Sequence, residues 1–354
     1  VHISQLRVEN FRNLANQVVP LSDKVNLITG ANGAGKTSML EAIYYFGRQK
    51  SFRTSKIKEL IQQGKPYFRI IGKTELPNHH IGIERREDLS TQMRLDRQPQ
   101  KNAAHISKIV PVIAVTAHSF QLIDAGPAFR RPFIDYGTFH YHQHFIQAWQ
   151  RYHRALKNRN AALKQKMPTA AIQSFDAVLT EQGHQLHDMR RAYFAQLIPI
   201  LSEQLQRLNF PYTITLSYLP GWNELYALDA YLTRHFANDL RMGHTRYGPH
   251  RADFTLTVDG IEVSQRLSRG QQKTLILALY LSQIALISQF GHTRPLLIID
   301  DIASEFDALR RNHLLEQLMG FDCQMFFSST EADFFDASLR RHAFLMQMDN
   351  GHIR

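Results

Sequence analysis

The sequence predicts an α/β protein built on a phosphate-binding loop, and three observations carry that expectation. An apolar run, Val25–Thr29, leads into a glycine-rich turn and then a helical stretch. A second apolar run, Leu296–Ile299, ends in Asp300 and Asp301. Between them, from Ala128 to about Arg207, the pattern turns helical with few strand signals. At 354 residues the chain has room for one large domain or two lobes.

In chain order, Ile3–Val8, Phe11 and Val18–Leu21 read as edge strands leading into the buried strand Val25–Thr29. Gly30, Ala31, Asn32, Gly33, Ala34, Gly35, Lys36 and Thr37 then follow the G-x-x-x-x-G-K-T spacing, and Ser38–Phe46 continues as a helix. That strand–loop–helix context is what a phosphate-binding loop requires. Glycines let backbone N–H groups turn inward around an anion, and the helix start adds oriented donors and a positive dipole end. The backbone from Gly30 through Ser38 is thus the expected phosphate contact. Lys36 would reach the β- and γ-phosphates, and the Thr37 hydroxyl would take one position on Mg2+. The plain alternative is a glycine turn that binds nothing, and the flanking strand and helix count against it.

Gly47–Lys56 is a polar basic loop with one aromatic, Phe52. It reads as a solvated turn, or as a contact for nucleic-acid phosphates through Arg48, Lys50 and Arg53. Tyr67–Thr74, His80–Arg86 and Gln92–Asp96 alternate as an antiparallel meander does. Val110–Thr116 is another buried strand.

Between Asp135 and Asp176 there is no acidic residue. The interval holds Arg151, Arg154, Lys157, Arg159, Lys164 and Lys166, with Trp149, Tyr152, Leu156 and Leu163 at apolar positions. This predicts an amphipathic helix with a basic face. Such a face is either solvated or a nucleic-acid contact, and the ordinary acid content of both flanks favours the contact. His140, His142, His144 and His153 have no Cys or Asp partners and read as surface residues rather than metal ligands. Farther on, Tyr212–Ser217 reads as a strand, Leu225–Leu240 as a helix and Arg246–Asp253 as a loop. Phe254–Val258 and Ile261–Val263 form a hairpin about Asp259-Gly260.

Leu267–Lys273 opens a long helix to Gln289. Ser268 is an N-cap candidate, and Gly270 lets a ligand approach the backbone closely. With Arg269 and Gln271 they make a second anion site, which is redundant on one triphosphate unless a second copy of the chain supplies it. Pro295–Asp301 is a buried strand ending in two acids. Asp300 suits Mg2+, and Asp301 suits orienting or deprotonating an attacking water. Neighbouring strand residues point to opposite sides, so both acids can face one site only if the strand ends at Asp300. Ser304-Glu305-Phe306-Asp307 starts another helix, and Gln324–Ser329 is a further buried strand.

The net charge of +11 and a pI near 9.7 suit a polyanionic partner such as nucleic acid. A hydrophobic fraction of 44% is ordinary for a globular chain. No apolar run approaches the roughly 18 residues of a membrane helix. Leu275–Ile287 comes nearest, broken by Tyr280, Ser282 and Gln283. The first residues lack the apolar core of a signal peptide. Cys323 is the single cysteine, which excludes an internal disulfide and a cysteine metal site. A cytoplasmic protein without a membrane partner is expected.

The set of motifs, in this order, resembles the ATP-binding cassette ATPases. Gly30–Thr37 matches Walker A, Leu267–Lys273 the signature, Leu296–Asp301 Walker B and Ser304–Asp307 the D-loop. No heptad run fills the gap between them, which argues against the long coiled-coil members. Within that class essentially the whole chain is similar to the RecF family of DNA replication and repair proteins. Leu6–Leu14, Gly126–Asp135 and Gly248–Asp253 carry that resemblance, together with Asp301 at the second Walker B acid and Ser328-Ser329-Thr330 in place of the switch histidine. The chain departs from the class at Val112–Thr116, which lacks the Q-loop glutamine; Gln121 stands nearby.

The resemblance implies an ABC-type P-loop ATPase lobe of mixed sheet and helices, from residues 1–116 and 241–354. It implies an inserted, mainly helical arm at residues 117–240. ATP and Mg2+ are the implied cofactors, with Thr37 and Asp300 on the metal and Asp301 catalytic. Two copies would close head-to-tail over two ATPs, with Ser268, Arg269, Gly270 and Gln271 acting in trans and Ser304 and Asp307 in the D-loop. Arg130 and Arg131 join the basic residues named above as candidate DNA contacts. The implied activity is weak, DNA-stimulated ATP hydrolysis. The implied partners are gapped or junction DNA, RecR and RecO, placing RecA on single strands. Two readings from other classes are a transporter ATPase subunit, which has little reason for a basic arm, and an SMC-like bridging protein, which needs long coiled coils.

Overall fold

The structure, a computed structural model, describes residues 1–291, 293–301, 317–330 and 343–354. Ser304 and Asp307, the expected D-loop pair, lie outside the described residues. The chain divides into two units, Val1–Ser119 with Ile287–Arg354, and Phe120–Leu286.

The first unit opens with β1 (His2–Glu9), β2 (Gln17–Pro20), β3 (Val25–Thr29) and α1 (Lys36–Arg48). It continues through β4 (Tyr67–Glu75), β5 (His79–Arg86), β6 (Thr91–Leu95), β7 (Gln98–Gln100), α2 (Ala103–Ile109) and β8 (Val112–Val115). The second unit contains α3 (Gln121–Asp124), α4 (Pro127–Tyr141), α5 (Phe145–Lys164), α6 (Thr169–Gln173) and α7 (Asp176–Arg207). It also contains β9 (Thr215–Leu219), α8 (Leu228–Met242), β10 (Asp253–Val258), β11 (Ile261–Glu262), α9 (Val263–Arg266) and most of α10 (Arg269–Gly291). The chain then returns to the first unit with β12 (Leu296–Asp300), β13 (Gln324–Ser329), β14 (Ala343–Asp349) and β15 (His352–Ile353).

Two sheets build the first unit. One runs β15-β14-β3-β13-β12-β8 and is parallel except at the β15 edge. Its central strand β3 is buried at every residue, which is why Val25–Thr29 reads as an unbroken apolar run. The other sheet, β2-β1-β4-β5-β6-β7, is antiparallel. Along β4 the burial alternates, with Phe68 and Ile70 inward and Tyr67 and Arg69 outward. Phe11, Tyr45 and Phe68 join the sheet to α1 through edge-to-face contacts at 5.0 and 5.1 Å.

Several expectations are corrected. β1 is an interior strand paired to both β2 and β4, not an edge; period-2 alternation shows which face is buried but says nothing of which edges are paired. The second unit does not stop near residue 240. It runs to Leu286 because β9, β10 and α10 share one apolar core with α4 and α7, through Leu216, Phe254, Leu275 and Leu279 against Phe133 and Tyr193. His140 is buried against the rings of Tyr136 and Phe139 rather than at the surface. Among the described residues, α10 is long and apolar enough to cross a bilayer by length and composition, although no such run was expected. Leu275, Leu279, Leu281 and Ile284 are all buried, as befits a helix apolar on every side within a core.

Candidate functional site

In the parallel sheet β13 lies between β3 and β12, so the C-terminal ends of these strands meet. Thr29 pairs with Ser329, and Asp300 with Ser328. A cleft of about 540 Å3 opens at those ends, lined by Arg12, Asn13, Lys36, Thr37, Asp300 and Asp301 among others. Ligands in α/β sheets bind outside the carboxyl ends of the strands, and the volume is that of a small-molecule site.

The glycine loop forms one wall. At Gly30, with φ at 149°, a Cβ would lie 2.3 Å from the Met348 carbonyl oxygen, so no side chain fits where the loop leaves β3. Gly35 is the N-cap of α1 at φ 115°, and no side chain caps the helix there. The first-turn N–H groups therefore face the loop, the arrangement that takes an anion. Lys36 Nζ donates to the carbonyl oxygens of Gly30 at 2.7 Å and Ala31 at 3.0 Å, which holds the ammonium over the loop. Burial lowers the Lys36 pKa, and Asp301 and Asp300 oppose that shift.

The acids form the other wall. β12 ends at Asp300, and Asp301 turns into the left-handed region at φ 52°. The strict alternation of a strand is broken there, so both side chains line one cleft. Asp300 Oδ1 accepts from Thr37 Oγ1 at 3.2 Å and from Ser328 Oγ at 2.6 Å. The Asp301 N–H donates to Ser328 Oγ at 3.2 Å. Burial pushes the Asp300 carboxyl up, and the hydrogen bonds from Ser328 and Thr37 pull it down. A hydroxyl beside a carboxylate is the hard-oxygen donor set that Mg2+ takes in a phosphate-loop site, and the residues fit that ion.

Other residues complete the site and went unassigned in the sequence. Asn13 clamps the loop: Nδ2 donates to the Gly33 carbonyl oxygen at 3.2 Å, and Oδ1 accepts from Ser38 Oγ at 2.7 Å. Glu41, fully buried on α1, takes both arms of the Arg12 guanidinium at 2.9 Å and also bonds Ser51. An acid on the apolar face of a helix must be paired, and that was the available signal. Arg53, expected at DNA, lines this cleft and pairs with Glu41 at 3.6 Å.

In the second unit Ser268 starts α10 in reciprocal contact with Gln271. The Ser268 N–H donates to Gln271 Oε1 at 2.9 Å, and the Gln271 N–H to Ser268 Oγ at 3.4 Å, which is a capping box. Arg269 pairs with Asp124 at 2.8 Å, and Gly270 is partly exposed. Of the basic candidates on α5, Arg151, Arg154 and Lys157 are exposed. Arg159, expected at DNA, is not: it has no exposed surface and is spent on Asp176 at 2.7 Å and Asp239 at 2.8 Å, so it cannot reach a DNA phosphate. Arg130 is held by both oxygens of Asp253 at 2.7 Å, while Arg131 is half-buried. Near the other loop, the Arg48 guanidinium stands over the Tyr44 ring and Lys50 is exposed.

Comparison with known proteins places this geometry. The RecF/RecN/SMC N-terminal domain family matches residues 2–354. A DNA replication and repair protein RecF of Hydrogenovibrio crunogenus is 37% identical over 99% of this chain and 98% of its own length. One of Coxiella burnetii is 34% identical over 99% of both. A solved structure of the recombination mediator protein RecF with ATP, described as in the RecFOR pathway, superposes with a TM-score of 0.90 at 26% identity, covering 100% of this chain and 97% of that one. An Smc head bound to the C-winged helix domain of ScpA shares the fold, with a TM-score of 0.59 at 15% identity over 100% of this chain and 96% of that one.

Proposed function

Since this chain belongs to the RecF family of DNA replication and repair proteins, an ABC-type ATPase fold, we propose that it works as an ATP-gated, DNA-binding dimer. The observation that carries the reading is the meeting of Lys36, Thr37, Asp300 and Asp301 around one cleft at the ends of β3 and β12. ATP is the substrate proposed for that cleft. The loop N–H groups from Gly30 to Ser38 hold its phosphates, and Lys36 neutralises the β- and γ-groups. Thr37 and Asp300 would hold Mg2+, which would supply neutralisation of the phosphate charge when bound. Asp301 orients the attacking water and accepts its proton. Ser328 holds Asp300 and the Asp301 backbone, so both acids keep one register.

The signature residues Ser268, Arg269, Gly270 and Gln271 complete a partner copy's site rather than their own. ATP then joins two copies head-to-tail, and slow, DNA-stimulated hydrolysis releases them. The exposed basic side chains of α5 meet DNA phosphates at gaps or junctions. With RecR and RecO the dimer favours RecA on single strands, a role that fits a cytoplasmic location. Gel filtration tests this. The wild-type chain should elute as a monomer alone, as a dimer with ATP, and larger with gapped DNA. Lys36→Ala should bind a fluorescent ATP analogue on the order of a hundredfold more weakly and stay monomeric. A wild-type chain that binds ATP but remains a monomer with ATP and DNA would overturn the dimer, and undiminished ATP affinity in Lys36→Ala would overturn the loop assignment.

A further inference from the structure

The loop at Gly248–Asp253 is fixed from several directions, yet it presents an arginine to solvent. The Gly248 N–H donates to the Gly221 carbonyl oxygen at 3.1 Å. The Pro249 carbonyl oxygen accepts from Arg190 Nη1 at 2.8 Å, and Arg190, only 1% exposed, is itself paired with Asp135 at 2.6 Å. His250 Nε2 lies 3.0 Å from the Thr245 carbonyl oxygen and must donate to it, which leaves Nδ1 to accept from the Tyr152 hydroxyl at 2.7 Å. Asp253 is clamped by Arg130 through both oxygens. At Gly248, φ is 130° and a Cβ would come 2.6 Å from the Tyr152 hydroxyl, so the backbone passes where only glycine fits.

Arg251 is exposed, and Arg131, half-buried, donates to the Ala252 carbonyl oxygen at 3.4 Å beside it. Among the described residues neither guanidinium forms an ion pair. The two acids that act on Arg131 are already committed: Asp253 to Arg130, and Asp135 to Arg190 and Trp149. Burial lowers the Arg131 pKa; Asp253 opposes that shift, and Arg251 adds to it. Two neighbouring cations on a rigid support, neither ion-paired among the described residues, suit an oxyanion from outside.

We infer that Arg131 and Arg251 form a clamp for a backbone phosphate of DNA, built on the Gly248–Asp253 loop. The inference rests on the reading of this chain as a DNA-binding protein. A nucleic-acid backbone is favoured because Arg251 lies in the open and the chain carries a net charge of +11. Such contacts position the duplex and read no sequence.

The test is DNA affinity against salt for wild type, Arg251→Ala, Arg131→Gln, the double variant and Arg191→Ala. Arg191 is exposed and already paired with Asp188 at 3.2 Å, so it serves as the control. Each clamp variant should lower the slope of log affinity against log salt by about one and the double by about two, equally for unrelated sequences. Arg191→Ala should leave it unchanged. If wild type binds no DNA, the DNA-binding reading falls and the clamp with it. If wild type binds and the double variant keeps the full slope, the clamp alone falls. Arg251 is exposed, so Arg251→Ala decides by itself should the double variant fail to fold.

Discussion

The nucleotide cleft of the first unit and the arm helices of the second both concentrate charge, and they dispose of it in opposite ways. In the cleft, Lys36, Thr37, Asp300 and Asp301 come from separate strand ends and face a common space. In the arm, two arginines turn inward and are neutralised by acids. Arg159 is consumed by Asp176 and Asp239, and Arg190 by Asp135. Arg154 and Arg159 share the helix α5, yet one is exposed and the other fully buried. A buried ion pair is tolerable only when complete, so the arm brings its acids from distant segments. A basic run therefore overstates the basic surface, whereas a phosphate loop states its site locally.

The sharpest way to break the comparison is at the cleft's second acid. If Asp301 accepts the proton of the attacking water, Asp301→Asn should cut hydrolysis by about a hundred- to ten-thousandfold while ATP binding and dimerisation persist. Single-turnover hydrolysis with saturating ATP measures this. Loss of ATP binding with normal turnover at saturation would show that the two acids have been assigned the wrong way round.

The arm should differ from the cleft in its response to acid. Burial pushes the His250 pKa down to about 4, and burial also lowers His153 and His187. The folded arm therefore keeps these rings neutral, while the unfolded chain takes up protons below about 6.5. The stabilisation is whole above that pH and is lost as pH falls towards 4, on the order of 3 kcal/mol for His250. Both tryptophans, Trp149 and Trp222, lie in the second unit, so their fluorescence during urea unfolding reports the arm alone. His250→Gln should flatten the acid dependence; an unchanged slope would place the pH sensitivity elsewhere.

A smaller effect separates the exposed half of α5 from its buried half. Replacing Arg154 and Lys157 together with alanine should lower the salt slope of DNA binding by about two and leave the melting temperature unchanged. An unchanged slope would make that face a solvated one and leave Arg131 and Arg251 as the arm's DNA contact.

The sequence made the cleft legible where its parts are contiguous. Gly30–Thr37 carries its own strand, turn and helix, and Asp300-Asp301 ends its own strand. It could not show that β13 lies between them, because strand order depends on pairing across distant segments, and so nothing in the sequence ties Ser328 to Asp300. Nor could it show β14 and β15, whose polar Gln347 and Asp349 disguise a parallel partner of β3. The arm was legible as helix but not in its extent. Its core closes only when β9, β10 and α10 join it.

The most direct test of the head-to-tail ATP sandwich uses two variants with lesions in different units. Ser268→Arg puts a bulky cation at the start of α10, at a capping cost of about 1 kcal/mol, and should leave the variant's own nucleotide cleft intact. It should bind ATP as a monomer and hydrolyse none. Lys36→Ala should also be inactive. In a heterodimer of the two, one composite site carries both lesions and the other carries neither. The expected result is ATPase activity in the mixture that neither variant shows alone. A Ser268→Arg protein that hydrolyses ATP at the wild-type rate as a monomer would contradict the sandwich and leave a P-loop ATPase complete in one chain.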